Sequence, residues 1–141
     1  MLLRKALLKR HSVLPGFDLA LGFALVAQGL DAQGIGLVES ERVELVVVAG
    51  DVYDRAVPPL AAVSLWEEAV VGITRTCPML VTSGNHDSPT RLGFAGPLLA
   101  QSGLHLRTSI DDIGRPLLVE GVDGVVLAAY GIPYLEPDLH R

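Results

Sequence analysis

Residues 45–54 read LVVVAGDVYD, and residues 79–87 read MLVTSGNHD. Each stretch begins with an apolar run typical of a buried strand and continues into a glycine followed by polar side chains. Between them, residues 58–75 carry apolar side chains at helical spacing with Glu67 and Glu68 on the opposite face, which predicts an amphipathic crossover helix. Parallel strands joined by such a helix bring both polar clusters to one edge of a sheet, where open α/β sheets bind ligands.

The polar residues of the two clusters form a ligand set for divalent cations. Asp51, Asn85 and His86 offer a carboxylate, an amide oxygen and an imidazole, which suit manganese, magnesium or zinc. Gly50 and Gly84 allow the sharp turns that bring short side chains to an ion. Alone, G-D-x-x-D is a weak signal, because an inert Gly-Asp turn after a strand is common. The second cluster, one crossover helix later, favours a metal site.

Both clusters resemble those of the calcineurin-like metallophosphoesterases, whose pattern runs D-x-H, G-D-x-x-D, G-N-H-D/E, a lone His and G-H-x-H. The surrounding residues 48–59 and 83–89, with YGIPYL at 130–135, are similar to the SbcD-type nuclease subunits. The resemblance covers about residues 38 to 141. It implies an α/β fold, a metallophosphoesterase-like sheet sandwich flanked by helices. We therefore expect a partial nuclease domain at 38–141, preceded by an atypical segment at 1–37.

The resemblance also implies a reaction and its partners. Members of this family hydrolyse phosphodiester bonds in DNA as exonucleases and endonucleases, in DNA repair and recombination. The implied cofactor is a divalent metal, above all manganese, with two ions in a complete site. The implied partners are DNA ends, the coiled-coil ATPase subunit SbcC and, in the complete enzyme, a second copy in a homodimer. A different metallophosphoesterase, either a phosphatase or a cyclic-nucleotide phosphodiesterase, would share the same two clusters and remains an alternative.

Residue roles follow from the resemblance position by position. Asp51 matches the bridging metal ligand, and Asn85 matches a ligand of one metal ion. His86 matches the catalytic histidine, which would stabilise the developing charge or protonate the departing alkoxide.

Neighbouring residues are expected to support this site, together with the two glycines. Asp87 is expected to orient His86 through its other ring nitrogen, and Asp54 to cap the turn that follows it. Ser88 begins a predicted helix that extends to about Ser102. For Arg91, in the first turn of that helix, a surface salt bridge is expected, with contact to a DNA phosphate as the alternative.

Two other blocks of the family pattern are not found at their expected places in this sequence. No D-x-H precedes residue 45, and the nearest string, DLALG at 18–22, has Ala20 where the histidine would stand. G-H-x-H does not occur, and His140 is expected to be solvated. Because one carboxylate and one amide cannot hold two cations tightly, a non-catalytic remnant of the fold is a third hypothesis.

Composition limits the remaining possibilities. With 141 residues, half of them apolar, the chain can bury the core of one domain. Its net charge of -5 gives no overall attraction for polyanions, so DNA contact requires a local patch or a partner. The lone Cys77, predicted to be a core residue, suits a reducing compartment and a cytoplasmic location.

The remaining segments give weaker structural signals. The apolar run at 19–27 is short for a membrane span, so we expect no membrane association and a poorly formed helix there. Strands are predicted at 104–107, 116–120 and 125–130, and the last of them is expected to be buried. His105 is expected to be an exposed strand residue.

Overall fold

Strands and helices alternate along the chain in the computed structural model, which describes residues 5–9, 20–22, 32–121, 124 and 126–137. Two short 3-10 turns lie at Ala100–Ser102 and Ile110–Asp112. The strands and α-helices are β1 (Lys5–Lys9), β2 (Ala20–Gly22), α1 (Ala32–Ser40), β3 (Leu45–Ala49), α2 (Leu60–Thr74), β4 (Met79–Thr82), α3 (Pro89–Leu92), α4 (Gly96–Leu99), β5 (Leu104–Arg107), β6 (Leu117–Glu120) and β7 (Val126–Ala129).

Five of the strands form one sheet in the order β2-β1-β3-β4-β5. Strands β3, β4 and β5 run parallel, whereas β1 is antiparallel to both of its neighbours. Ala49 at the end of β3 pairs with Thr82 at the end of β4. The predicted parallel pair is therefore confirmed, and the residues that follow β3 and β4 leave the sheet side by side.

The two faces of this sheet are covered by different layers. On one face α1 and α2 pack against alternate strand residues, and the buried cluster includes Val38, Val46, Ile73, Met79 and Val81. On the other face, the two-stranded antiparallel sheet of β6 and β7 packs through Leu117 against Leu45 and Leu80. The expected architecture, an α/β sheet sandwich flanked by helices, is confirmed.

The crossover helix predicted between the two polar clusters is present as α2. Ala69 and Ile73, one helical turn apart, are its buried residues, and Glu67 and Glu68 lie away from that buried face. Cys77, shortly after α2, is buried as predicted, and its burial raises the pKa of the thiol to about 11. At neutral pH this thiol is protonated and unreactive.

Four local predictions are wrong. His105, expected to be exposed, is half-buried on β5. The helix expected from Ser88 to about Ser102 is broken into α3, α4 and a 3-10 turn, because Ala95 adopts a left-handed conformation with φ 56° before Pro97. Strand β7 is not buried, since its outer residues, such as Val126, face away from the single sheet that covers it. Ala20–Gly22 is a strand rather than part of a helix. Among the described residues, no helix is long and apolar enough to cross a membrane.

Some residues considered in the sequence lie outside the described part of the chain. They are residues 18 and 19 of the DLALG string, residues 23–27 of the apolar run and His140. Ala20, which occupies the histidine position of that string, begins the edge strand β2. The predicted division of the chain into residues 1–37 and 38–141 stays a prediction.

Candidate metal centre

The turn after β3 is unusually tight. Gly50 and Asp51 both adopt left-handed backbone conformations, with φ values of 76° and 49°. Glycine adopts this conformation without strain, and aspartate is among the few other residues that tolerate it. The turn directs the Asp51 side chain toward the loop after β4, where its Oδ1 accepts a hydrogen bond from the His86 backbone N–H at 3.2 Å.

Glycine is required where the two loops touch. A Cβ on Gly84 would overlap the backbone nitrogen and Oδ1 of Asp51. A Cβ on Gly50 would lie 3.0 Å from the Gly84 Cα. The sequence predicted a turn-forming role for both glycines, whereas at Gly84 the structure shows a close approach between two chain segments. Because neither Gly50 nor Gly84 carries a side chain, the two loops that bear the predicted ligands can approach each other closely.

Replacing Gly84 with alanine tests this close approach. We expect Gly84→Ala to lower the free energy of unfolding by about 1–3 kcal/mol, because the added methyl group must displace the Asp51 backbone. Urea denaturation followed by circular dichroism measures the change. Gly114→Ala is the matched control, since nothing lies within 4 Å of the position that its methyl group would take, and its effect should stay within about 0.5 kcal/mol. Equal stabilities of the two variants would contradict the close approach.

Asp87 links the two loops through its side chain. The residue is only 6% exposed, and its carboxylate accepts three backbone hydrogen bonds, from Gly84 at 2.8 Å, Tyr53 at 2.9 Å and Val52 at 3.1 Å. The expectation that Asp87 orients the His86 ring is wrong, because the His86 Nδ1 meets the Asp54 carbonyl oxygen and the Asp87 carboxylate binds backbone donors instead. Burial, and secondarily the negative charge of Asp87, raise the pKa of Tyr53.

The His86 ring is held by a backbone carbonyl. Its Nδ1 lies 2.9 Å from the Asp54 carbonyl oxygen. A proton on Nδ1 would be donated to that oxygen, which leaves Nε2 as the ring nitrogen available for chemistry. The predicted turn cap by Asp54 is wrong, because its carboxylate is exposed and no described residue donates a hydrogen bond to it. Asp54 contributes through its main chain instead.

Arg91 braces the loop that follows Asp54. Its Nη1 donates a hydrogen bond to the Ala56 carbonyl oxygen at 2.9 Å, and the side chain is exposed. This contact with a carbonyl oxygen takes the place of the surface salt bridge that was expected for Arg91. A guanidinium group carries further N–H donors, so contact of Arg91 with a phosphate stays a prediction.

The segment after β7 also meets this edge, which the sequence analysis missed. The Tyr134 backbone N–H donates to the carbonyl of Ser83, the residue before Gly84, at 2.8 Å. Buried Gly131 packs closely on the strand ends, because a Cβ there would lie 3.0 Å from the Arg107 Cβ and 3.1 Å from the Thr82 Cγ2. The glycine within YGIPYL was the available signal for this approach.

The donor atoms at the edge fit one side of a cation site. The Asp51 Oδ1 accepts the hydrogen bond from the His86 N–H. Asn85, which precedes His86, is exposed and carries an amide oxygen of the kind that ligates hard cations. Within the described ranges, no three His, Cys, Asp or Glu side chains are grouped closely enough to hold a metal ion. Asp51 and Asn85 therefore fit part of a coordination shell, and further ligands must complete it.

Comparison with known proteins gives consistent matches. The sequence profile described as calcineurin-like phosphoesterase matches residues 24–138. The D subunit of the nuclease SbcCD from Staphylococcus epidermidis is 34% identical over 87 residues, covering 60% of this chain and 23% of that protein. Its namesake from Staphylococcus saprophyticus is 30% identical over 91 residues, covering 63% and 24%. The chain thus spans about a quarter of the length of these curated relatives.

Proposed function

Because the chain belongs to the calcineurin-like phosphoesterase family, we propose that it forms part of a metal-dependent nuclease that hydrolyses phosphodiester bonds in DNA. One observation carries this proposal: the loops after β3 and β4 meet, and the Asp51 carboxylate binds the backbone of His86. Such an edge, where strand ends present oxygen and nitrogen donors, is where open α/β sheets bind ligands. The relatives are named as part of the nuclease SbcCD, which supports a nucleic acid as the substrate.

In this proposal Asp51, Asn85 and His86 have distinct roles. Asp51 and Asn85 hold a divalent cation, with manganese favoured by the resemblance. When bound, that cation supplies Lewis-acid activation of the phosphate and of the attacking water. His86, whose Nδ1 faces the Asp54 carbonyl, directs Nε2 to the leaving oxygen and donates the proton that it needs. Asp87 keeps both loops in the geometry that this requires.

The proposed partners follow the resemblance and one surface feature. We propose that the complete protein acts in the cytoplasm on DNA ends, together with the coiled-coil ATPase subunit SbcC. A homodimer is supported by exposed apolar side chains on the loop before α2, at the start of α2, between α3 and α4, and on α4. These side chains belong to Val57, Leu60, Phe94 and Leu98. Such a group of apolar side chains is typical of an interaction surface.

A substrate comparison tests the proposal. We expect the full native protein, supplied with Mn²⁺, to cleave linear duplex DNA and to leave p-nitrophenyl phosphate, a phosphomonoester, largely intact. Excess EDTA should abolish cleavage, because the three residues lack the charge stabilisation that a cation provides. Preferential hydrolysis of the monoester would instead indicate a phosphatase of the same family. Absence of both activities in the presence of Mn²⁺ would indicate a non-catalytic remnant.

A further inference from the structure

Three exposed side chains form a row on the segment after β7. Tyr130, Ile132 and Tyr134 are 60%, 64% and 44% exposed, whereas Gly131 and Pro133 between them are buried. This alternation indicates an extended segment whose odd and even residues face opposite ways. Side chains two residues apart on one face are about 7 Å apart. We call Tyr130, Ile132 and Tyr134 the tyrosine ladder.

The tyrosine ladder is fixed against the candidate metal centre. The Tyr134 N–H bonds to the carbonyl of Ser83, two residues before Asn85, at 2.8 Å. Gly131 packs on the side chains of Thr82 and Arg107 at the ends of β4 and β5. The backbone of the ladder is therefore anchored near its start and at its end. This places the backbone of the ladder beside the loop that carries the predicted metal ligand and the predicted catalytic histidine, with the ladder side chains exposed.

The spacing and chemistry of the ladder suit nucleobases. A gap of about 7 Å between neighbouring side chains is twice the roughly 3.4 Å rise of stacked bases, so one flat base fits between two members of the row. Tyrosine rings provide stacking surfaces for any base. Arg107 packs its Cβ and Cγ against Gly131, and its guanidinium, which bonds to the carbonyls of Leu106 and Arg115, adds positive charge at the end of β5. Aromatic faces next to a cationic strand end are the usual components of a single-strand binding surface.

We propose that the tyrosine ladder stacks unpaired bases of a DNA strand whose phosphate lies at the candidate metal centre. The inference rests on the proposed nuclease function and makes its substrate more specific, namely a strand with unpaired bases beside the cut. It also gives an acidic chain the local DNA-binding patch that its net charge of -5 requires. Duplex DNA would have to fray before its bases entered the ladder.

The test measures binding without catalysis. Fluorescence anisotropy is recorded for the full native protein in EDTA with a labelled oligothymidine of about 12 nucleotides. We expect Tyr130→Ala and Tyr134→Ala each to weaken binding at least about fivefold, because each removes a stacking surface. Tyr134→Phe should bind like the unaltered protein, since its ring still stacks. Leu118→Ala, on neighbouring β6 and comparably exposed, is the matched control and should bind normally.

Two results would overturn the inference. One is unchanged oligothymidine binding by both alanine variants when circular dichroism shows that they are folded. The other is equally tight binding of an abasic oligomer of the same length, because a deoxyribose-phosphate chain has no bases to stack. Cleavage is assayed separately with Mn²⁺. Base-dependent binding by a protein that cleaves no DNA would support the ladder and contradict the proposed nuclease function alone.

Discussion

Asp51→Asn is expected to reduce Mn²⁺-dependent DNA cleavage by more than about 100-fold, beyond the loss typical of residues that merely support a metal ligand. The substitution is nearly isosteric, and asparagine also tolerates the left-handed conformation found at this position, φ 49°. The asparagine carbonyl oxygen can still accept the His86 N–H bond that Asp51 Oδ1 accepts. Only the negative charge is removed, so the fold should persist while cation binding and hydrolysis are lost.

Single-turnover cleavage of linear DNA measures this effect, and circular dichroism checks the fold. His86→Ala should give a comparable loss of hydrolysis, because it removes the proposed proton donor. Asp111→Asn makes the same chemical change at an exposed carboxylate outside the site and should cleave normally. Unchanged Mn²⁺-dependent cleavage by Asp51→Asn and His86→Ala would contradict the residue roles proposed here.

Asp87→Ala is expected to cause a large loss of stability, about 3 kcal/mol in the free energy of unfolding. The substitution leaves the backbone N–H groups of Val52, Tyr53 and Gly84 without their carboxylate acceptor, and each unmet donor in a partly buried site costs about 1–3 kcal/mol. Water entering the vacated space satisfies some of them, which keeps the total below the sum. Because the loops carry the predicted ligands, cleavage should fall as well.

Urea denaturation of the folded variants measures the stability change. The matched control is Asp111→Ala, which removes an exposed carboxylate and should shift the unfolding free energy by no more than about 0.5 kcal/mol. Asp87→Asn separates charge from shape, since its amide retains one oxygen acceptor and should lose less stability than alanine. If Asp87→Ala were as stable as the control, the clamp between the two loops would be refuted.

The sequence predicted the parts of the fold that depend on local pattern. β3 and β4 were identified because each is a short apolar run followed by a glycine and polar residues, and α2 because its apolar residues recur at helical spacing. The convergence of their loops followed from the geometry of parallel strands. The layered fold came from the family resemblance, and the family match at 24–138 agrees with it.

Features that depend on contacts between distant residues were not predicted. The Asp87 bonds to Val52 and Tyr53 join residues 35 and 34 positions apart, so no local pattern records them, and a role toward the adjacent His86 was expected instead. The break between α3 and α4 depends on the left-handed Ala95, a conformation that alanine rarely adopts and that propensity does not favour. The exposure of β7 follows from how few strands its sheet contains.

Manganese binding tests the central claim most directly, because it does not depend on the substrate or on turnover. Electron paramagnetic resonance of free Mn²⁺ is recorded during titration of the full native protein and of its Asp51→Asn, Asn85→Ala and Asp111→Asn variants. The account predicts that the native protein and Asp111→Asn bind Mn²⁺ alike, whereas Asp51→Asn and Asn85→Ala bind at least about tenfold more weakly. Equal Mn²⁺ affinity in all four proteins would contradict a metal centre built on Asp51 and Asn85.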